Sequence, residues 1–370
     1  MKPNRSSAGL EKASPYIMLA PYIFFIVIFF GYAFMRTLYF SFTDYNMFSK
    51  PAWVGLKNYV DLFRNIQFGR AFRNSLTFAV IVTSFQTIFA LILAIVLNSN
   101  MRGIKIFRAL YYMPSVTSSV VITLIFMWLF QRNGIFNYLT TAFLQHKAII
   151  GAFFVSLVVL QILMVVAERA RKQPCSWLEP SFILASALLS LVVVWFLEFA
   201  GVVAPGTDIE PVRIIWLNTR QTIPEWAGKL GIPRPLASIM ILNTWTTAPT
   251  MMLLFLAGLQ DIPRELYEAA SVDGATGFQA FRHITLPGLR HITYLIVTMG
   301  LIGTLQMFDQ VAIIGDQAPL ESVITLAYFV YHNAFPGSAV PRIGLASAAA
   351  MILAGFTLIL TWVQRKLSRV

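Results

Sequence analysis

The sequence predicts an all-α membrane protein, a polytopic bundle of helices, and two observations support that prediction. Of its 370 residues, 57% are hydrophobic and only 12% are charged, and the mean hydropathy is +0.69. These values are too apolar for an ordinary soluble domain. The apolar residues also fall in runs of about 20, the length at which a helix crosses roughly 30 Å of hydrocarbon.

Eight apolar runs reach this length, and each is expected to form one span. They cover residues 16–40, 74–98, 109–131, 148–167, 180–203, 236–259, 291–314 and 342–364. The first run follows a basic stretch but continues to about Phe40 without a small-residue cleavage site, which favours an uncleaved span over a secretory signal. The sequence contains no tandem repeat and no separate soluble domain.

The net charge of +12 suggests either nucleic-acid binding or membrane topology. Lys and Arg occur in short clusters between apolar runs, without the basic, aromatic-interleaved face of nucleic-acid binders, so topology is favoured and no nucleic acid is expected. The positive-inside rule then places both termini in the cytoplasm. The inner clusters are Lys2/Arg5/Lys12, Arg102/Lys105/Arg108, Arg169/Arg171/Lys172, Arg264/Arg282/Arg290 and Arg365/Lys366/Arg369.

Several classes of site are excluded by residue counts and spacing. The single cysteine, Cys175, rules out an intrachain disulfide, and the four histidines lack ligand spacing, so no metal is expected. There is no phosphate-binding loop of the G-x-x-x-x-G-K-[ST] type. No nucleophile, base or paired carboxylates gather at one depth, so no catalysis and no bound cofactor are expected for this chain.

One polar, glycine- and proline-punctuated break separates two spans near the C-terminal end. It reads Glu268-Ala269-Ala270, three residues, Gly274, nine residues, and then Ile284-Thr285-Leu286-Pro287. This spacing resembles the EAA loop of binding-protein-dependent ABC importer permeases. Four further stretches resemble the carbohydrate-uptake subfamily of the maltose and glycerol-phosphate type: residues 38–45, 53–59, 109–114 and 304–309.

The resemblance implies a type I importer permease fold with six core spans. Because eight runs are present, we expect an inserted two-span hairpin at 148–203. The other expected divisions are a tail at 1–15, three core spans in 16–147 with outer loop 41–73, three core spans in 204–364 with cytoplasmic loop 260–290, and a tail at 365–370. The hairpin keeps the sidedness of the later spans, and its role is equally well read as lipid-facing packing or contact with an accessory protein.

The resemblance also implies a function and partners. The chain is expected to form the pathway for a sugar-like solute in the cytoplasmic membrane, in contact with lipid. Expected partners are a second, different permease subunit, an extracytoplasmic solute-binding protein and two ATP-binding subunits, which would hold ATP and Mg. An ion-coupled secondary transporter and a membrane-embedded enzyme are the rival classes, and a phosphorylated or other polar solute is the rival cargo.

The EAA-like loop carries charges that are costly in hydrocarbon, so it is expected in water or against protein. Residues 265–270 suit a short amphipathic helix with Leu266, Ala269 and Ala270 on one face. Gly274 can take a positive φ, and Pro287 suits the first turn of the seventh span. The residues expected to couple to the ATPase are Glu265, Glu268, Ala269, Ala270, Asp273, Gly274 and Pro287.

Polar and aromatic residues in two late spans are candidates for the solute pathway. By helical rise, Asn243 and Trp245 lie roughly 10–14 Å below the outer end of the sixth span, and Gln306 lies roughly 12 Å below that of the seventh. Gln306, Asp309 and Gln310 would share one helix face. The candidates are Asn243, Trp245, Gln306, Phe308 and Asp309, with Gln86, Ser118 and Ser347 weaker. Interhelical hydrogen bonding or interface anchoring is the alternative role for each.

Overall fold

The computed structural model describes residues 5–98, 103–171, 180–206 and 210–368. Within these ranges, seven helices are long and apolar enough to span a membrane, and one bent helix pair is an eighth candidate. The strands form two two-stranded sheets with two residues in each strand. The predicted all-α membrane bundle is therefore confirmed. Five residues discussed above lie outside the described ranges: Lys2, Arg102, Lys172, Cys175 and Arg369.

The first span is built from helices α1 (Arg5–Phe25) and α2 (Tyr32–Ser41), joined by the π-helical segment Ile26–Gly31. Most of its large apolar side chains are exposed, as expected of a helix that faces lipid. A short hairpin follows, in which β1 (Thr43–Asp44) pairs antiparallel with β2 (Ala52–Trp53).

The second span, α4 (Ile66–Leu97), follows the amphipathic helix α3 (Lys57–Arg64). Asn65 caps α4, because its side-chain oxygen accepts hydrogen bonds from the backbone N–H groups of Gln67 and Phe68, at 2.8 and 3.3 Å. The helix therefore begins eight residues before the predicted span, which starts at residue 74.

The third predicted span, residues 109–131, is not one straight helix. It consists of α5 (Ile104–Val116) and α6 (Ser119–Leu129), whose axes differ by 98°. Thr117 between them is extended. The side chains of Ser115 and Thr117 bond backbone carbonyls three and four residues earlier, a local pattern that competes with continued helix.

Residues 127–216 form a compact unit of their own. The unit contains α7 (Ile135–Gln145) and the apolar helices α8 (Lys147–Ala170) and α9 (Pro180–Phe199). The Ser186 hydroxyl of α9 donates to the side-chain oxygen of Gln161 in α8 over 2.8 Å. Helix α7 is an addition to the predicted elements, because the sequence predicts no helix between the spans that end at residue 131 and begin at residue 148.

The sixth span, α10 (Arg234–Gln260), is the most buried of the spans found. It is preceded by β3 (Thr222–Ile223), a 3₁₀ segment (Glu225–Leu230) and β4 (Ile232–Pro233), which pairs antiparallel with β3. Pro235 in its first turn suits a helix start, where no intrahelical N–H is required.

Between the sixth and seventh spans the chain folds into short helices. They are α11 (Arg264–Val272), α12 (Gly277–Ala280), the π-helical segment Phe281–Thr285 and α13 (Leu286–Gly288). The next helix, α14, covers Arg290–Leu305. The position predicted for Pro287 is therefore wrong: it lies in α13, one turn before the spanning helix, because Leu289 interrupts the helical pattern.

The seventh predicted span, residues 291–314, is also interrupted. Helix α14 ends at Leu305, and α15 (Asp309–Ile314) begins after three non-helical residues. The face that Gln306, Asp309 and Gln310 were expected to share on one helix is therefore not formed. The remaining elements are a 3₁₀ turn (Gly315–Gln317), α16 (Leu320–Val323), α17 (Leu326–Ala334) and the last span, α18 (Ile343–Ser368).

Two buried apolar clusters hold the unit formed by residues 1–126 and 217–370. One joins α4 and α10 to the start of α14 and centres on Met252, Phe255, Leu289 and Ile296. The other joins α3, α4 and α17 to α18 and includes Leu62, Phe68, Phe329 and Leu345. Polar bonds add to the second, since Asn74 donates to the Ile324 carbonyl and Ser75 accepts from the Leu326 N–H.

The start of α18 packs unusually closely against the chain after the first span. The Gly344 N–H donates to the Tyr45 carbonyl over 3.1 Å, and a Cβ atom at Gly344 would overlap the Thr43 carbonyl oxygen. Gly355, three turns later on the same helix, has open space around it. A side chain at Gly344 therefore has no room unless the backbone moves.

We expect Gly344→Ala to lower the free energy of unfolding by about 1–3 kcal/mol, the usual cost of overpacking. Gly355→Ala is the matched control and should leave stability unchanged or raise it slightly, because alanine favours helix. Thermal unfolding of the purified chain in detergent measures both. Equal midpoints for the two variants would contradict the close packing described here.

Candidate functional site

The bend between α5 and α6, the middle of α10 and the first turn of α15 together line a cleft of about 340 Å³. Most of the polar groups on its wall are hydroxyls and amides. Asp309 is the one acidic or basic residue among the described residues that line it. The hydroxyl and amide groups come from Ser115, Thr117, Ser119, Thr123, Asn243, Thr246, Thr247, Thr250 and Gln310.

Two buried oxygen atoms of lining residues, Oδ1 of Asn243 and Oγ of Ser119, have no hydrogen-bond partner within the described chain. The Asn243 residue is only 8% exposed. An unpaired buried polar atom costs about 1–3 kcal/mol, so native proteins rarely keep one without a purpose.

A hydrogen bond between the α10 and α4 spans holds the α10 side of the cleft in place. The Thr247 hydroxyl lies 2.6 Å from Oε1 of Gln86 in α4 and 2.7 Å from the Asn243 carbonyl oxygen in its own helix. Gln86, a weaker candidate from the sequence, thus positions α10 and does not line the cleft. Ser118 and Ser347, the other weaker candidates, are absent from its lining as well.

The structure brings together only two of the five predicted pathway residues, Asn243 and Asp309. Trp245 is directed elsewhere: its ring packs against Phe126 with centroids 5.3 Å apart and remains 41% exposed. Gln306 is exposed within the break after α14, outside the cleft lining. The equal depth estimated for these residues says nothing about the direction in which each side chain points.

Phe308 joins an aromatic face on α17. Its ring lies 4.9 Å from that of Tyr331 and 6.1 Å from that of Tyr328, and Tyr328 stacks on His332. Burial, followed by the negative charge of Asp316, raises the pKa of the Tyr328 hydroxyl. The shift favours the protonated hydroxyl, which can donate a hydrogen bond at this surface.

The EAA-like segment, residues 261–290, folds as predicted around its helix and its glycine. Helix α11 contains Glu265 to Ala270, and Gly274 takes a φ of +73° directly after it. The Ala275 N–H donates to the Ala270 carbonyl over 2.9 Å, which closes the helix end. The Tyr267 hydroxyl and the Thr285 hydroxyl, 2.8 Å apart, hold α11 against the π-helical segment.

Helix α11 buries none of its residues, so its side chains are free to meet another molecule. Glu265, Glu268, Ala269 and Asp273 are exposed, and Ala270 is half-buried. Three large apolar side chains are also exposed between residues 264 and 280 of this segment: Leu266 at 50%, Val272 at 89% and Phe278 at 70%. Exposed apolar groups beside charges are typical of a protein interface.

Sequence reasoning missed several residues of both sites, although signals for them were available. The run Pro114-Ser115-Val116-Thr117-Ser118-Ser119 places turn-forming residues within an apolar stretch, which predicts a break there. Three threonines, Thr246, Thr247 and Thr250, share the Asn243 side of α10 by helical spacing. In the described part of the chain, no group of three or more His, Cys, Asp or Glu residues could hold a metal ion.

Comparison with known proteins identifies the family. The family described as "binding-protein-dependent transport system inner membrane component" matches residues 174–369, just over half of the chain. The chain is 26% identical over 360 residues to the arabinooligosaccharides transport system permease protein AraP of Bacillus subtilis, covering 97% of this chain and 89% of AraP. It is 26% identical over 353 residues to the lactose transport system permease protein LacF of Rhizobium radiobacter, covering 94% and 92%.

Solved structures show the same fold at lower identity. A chain of a bacterial ABC transporter involved in the import of the acidic polysaccharide alginate matches with a TM-score of 0.65 and 22% identity, over 99% of both chains. A second structure, of the alginate transporter in complex with an alginate pentasaccharide-bound periplasmic protein, matches with a TM-score of 0.64. The protein thus belongs to the binding-protein-dependent transport system inner membrane components, and it is a membrane-spanning permease subunit rather than an enzyme.

Proposed function

We propose that this chain forms one part of the membrane pathway of an ATP-driven importer for a sugar or sugar-like solute. The observation that carries the proposal is the cleft, where the unpaired oxygens of Asn243 and Ser119 lie among hydroxyl groups. Sugars are bound through many hydroxyl and amide hydrogen bonds. The relatives named for arabinooligosaccharides and lactose support a carbohydrate as cargo.

The charge of the cleft bears on the choice of solute. Asp309 is acidic, and none of the described residues on the lining is Lys, Arg or His. A phosphorylated solute would meet an acidic group with no cation among the described lining residues, which is unfavourable because like charges repel. A neutral sugar would instead donate its hydroxyls to Asp309 and Asn243. Trp245, Gln306 and Phe308 remain proposed pathway residues outside the cleft.

The proposed assembly supplies what this chain lacks. An extracytoplasmic binding protein as partner is supported by the family description and by the solved complex with a periplasmic protein. We propose that it delivers the solute to outer segments 41–73 and 315–341. A second permease chain, expected to be different, completes the pathway. Because this sequence has no phosphate-binding loop, two separate ATP-binding subunits hold ATP and Mg.

The EAA-like segment is proposed as the contact with the ATP-binding subunits. Its exposed apolar groups, Leu266, Val272 and Phe278, would enter a groove of the partner, while Glu268 pairs with a basic group there. Small Ala269 and Ala270 allow close approach of the two chains. Glu265 lies in the first turn of α11 and Asp273 directly follows its last residue. Gly274 reverses the chain with its positive φ, and Pro287 lies in α13, just before α14 begins.

This role requires the segment to lie in the cytoplasm, and an even number of crossings then places both termini there too. The hairpin 148–203 is proposed as an insertion that preserves this sidedness. An ion-coupled carrier would work without ATPase partners, and the family assignment does not favour it. The location proposed for the assembly is the cytoplasmic membrane.

We expect Asn243→Leu to reduce ATP-driven uptake at least tenfold, because the apolar side chain removes a hydrogen-bonding group worth about 1–3 kcal/mol when buried. The measurement is uptake of radiolabelled lactose, maltose, trehalose and arabinooligosaccharides by cells that express the complete importer. Asn133→Leu is the control, since Asn133 is exposed and lies outside both the cleft and the outer segments proposed to meet the binding protein. Undiminished uptake of every transported sugar by Asn243→Leu would contradict the site.

Glu268→Lys and Gly274→Pro should insert into the membrane normally but lose at least nine-tenths of ATP-driven uptake. The first reverses the charge of the proposed docking face, and the second excludes a backbone with φ of +73°. Co-purification of the ATP-binding subunit should fall in parallel. Glu198→Lys, an equal charge change at the exposed end of α9, should retain both activities. Undiminished uptake by Glu268→Lys and Gly274→Pro after normal membrane insertion would refute the assignment.

Single-cysteine labelling should settle the orientation. In a Cys175→Ser background, Ser271→Cys should react with an impermeant maleimide only after the membrane is opened. Ser49→Cys, on the loop after the first span, should react in intact cells. Both positions are exposed, so accessibility within the chain does not limit either reaction. The opposite labelling pattern would overturn the proposed sidedness.

A further inference from the structure

We propose that the paired ends of α14 and α18 form a binding site for an anionic phospholipid, with the phosphate held by Arg365 and Lys366. Two grooves, of about 490 and 550 Å³, lie beside each other here and share Tyr294 as a common wall. Arg290, at the start of α14, lines the first groove, and Arg365, near the end of α18, lines the second.

The site is fixed by polar bonds between the two helices. The side-chain N–H of Gln364 in α18 donates to the Tyr294 carbonyl in α14 over 3.1 Å. The Thr298 hydroxyl, one turn further along α14, donates to Oε1 of Gln364 over 3.0 Å. These bonds hold the helix ends together, so the grooves on their surface have a defined shape.

Apolar side chains form much of the wall of both grooves. Leu286, Pro287 and Val297 line the first. Leu358, Ile359 and Trp362 line the second, and all three of these are at least 59% exposed. A dissolved phosphate or nucleotide gains nothing from such walls, whereas the acyl chains of a lipid cover them. This combination is what distinguishes a lipid from a small anion.

The charges at the open end select an anionic headgroup. No Asp or Glu is found among the described residues that line either groove. Neither Arg365 nor Lys366 takes part in the ion pairs of the described chain. Lys366 holds its ammonium group 5.2 Å from the ring centre of Trp362, which keeps the cation at the groove rim. Basic pockets between spans at the inner face bind anionic headgroups in this way.

A lipid in the first groove would also touch the EAA-like segment. Leu286 and Pro287 are the last residues of that segment before α14 begins. On the proposed function, the coupling segment therefore rests on a bound lipid at the point where it joins the membrane. The lipid would act as part of its support, and transport would depend on the anionic lipid content of the inner leaflet.

Lipid binding is tested on the purified full-length chain, without solute or ATPase, by native mass spectrometry after exchange into detergent. Phosphatidylglycerol and phosphatidylcholine are titrated separately. We expect phosphatidylglycerol to bind the unaltered chain at least tenfold more tightly than phosphatidylcholine. The double variant Arg365→Gln/Lys366→Gln should lose on the order of tenfold in phosphatidylglycerol affinity. Trp362→Leu, which keeps an apolar wall, should lose less.

The matched control is Lys57→Gln/Arg64→Gln, which removes the same charge from exposed positions of α3. Equal phosphatidylglycerol affinity in the two double variants would overturn the site, because overall charge would then explain the binding. A structure of the assembled importer in which a partner subunit fills the grooves and no lipid is bound there would overturn the site as well. Since the assay needs neither transport nor ATP, failure of the proposed importer function would leave its result intact.

Discussion

Polar backbone groups released inside a membrane must find partners within the protein, because lipid offers none. This constraint governs the two places where spans of this chain are broken. At the break after α14, the Met307 carbonyl accepts a hydrogen bond from the Thr325 hydroxyl over 2.8 Å. At the bend before α6, Ser115 and Thr117 bond carbonyls of α5. Breaks that are satisfied in this way concentrate polar groups at membrane depth, and the cleft lies where two of them meet α10.

The same constraint explains how the spans are held together. Apolar burial gives little advantage over lipid, so contacts between spans depend on close packing and on hydrogen bonds. The Thr83 and Thr304 hydroxyls, 3.2 Å apart, join α4 to α14 within the span. Gln86 and Thr247 join α4 to α10. Each such bond is worth about 0.6 kcal/mol on average, so the bundle is stabilised by several weak contacts and can shift between arrangements.

The sequence was sufficient for the features that depend on composition and local chemistry. The number of apolar spans, the α11 helix and the positive φ of Gly274 follow from hydropathy, periodicity and the freedom of glycine. The 98° bend was missed because hydropathy measures the length of an apolar run and not its direction. The break at residues 306–308 contains neither Gly nor Pro, and it is stabilised by Thr325, a partner distant in sequence. Such a break is determined by tertiary contacts.

The cleft and the EAA-like segment are connected by two helices rather than by a loop. Asn243 lies 17 residues before the end of α10 at Gln260, which corresponds to about 25 Å along the helix. Helix α14 returns from the other end of the segment and stops just before Asp309, on the opposite wall. Phe255 and Ile296 pack these helices into one cluster near the segment. The two spans that flank the segment therefore both lead to residues of the cleft, α10 to Asn243 and α14 to Asp309 at the start of α15.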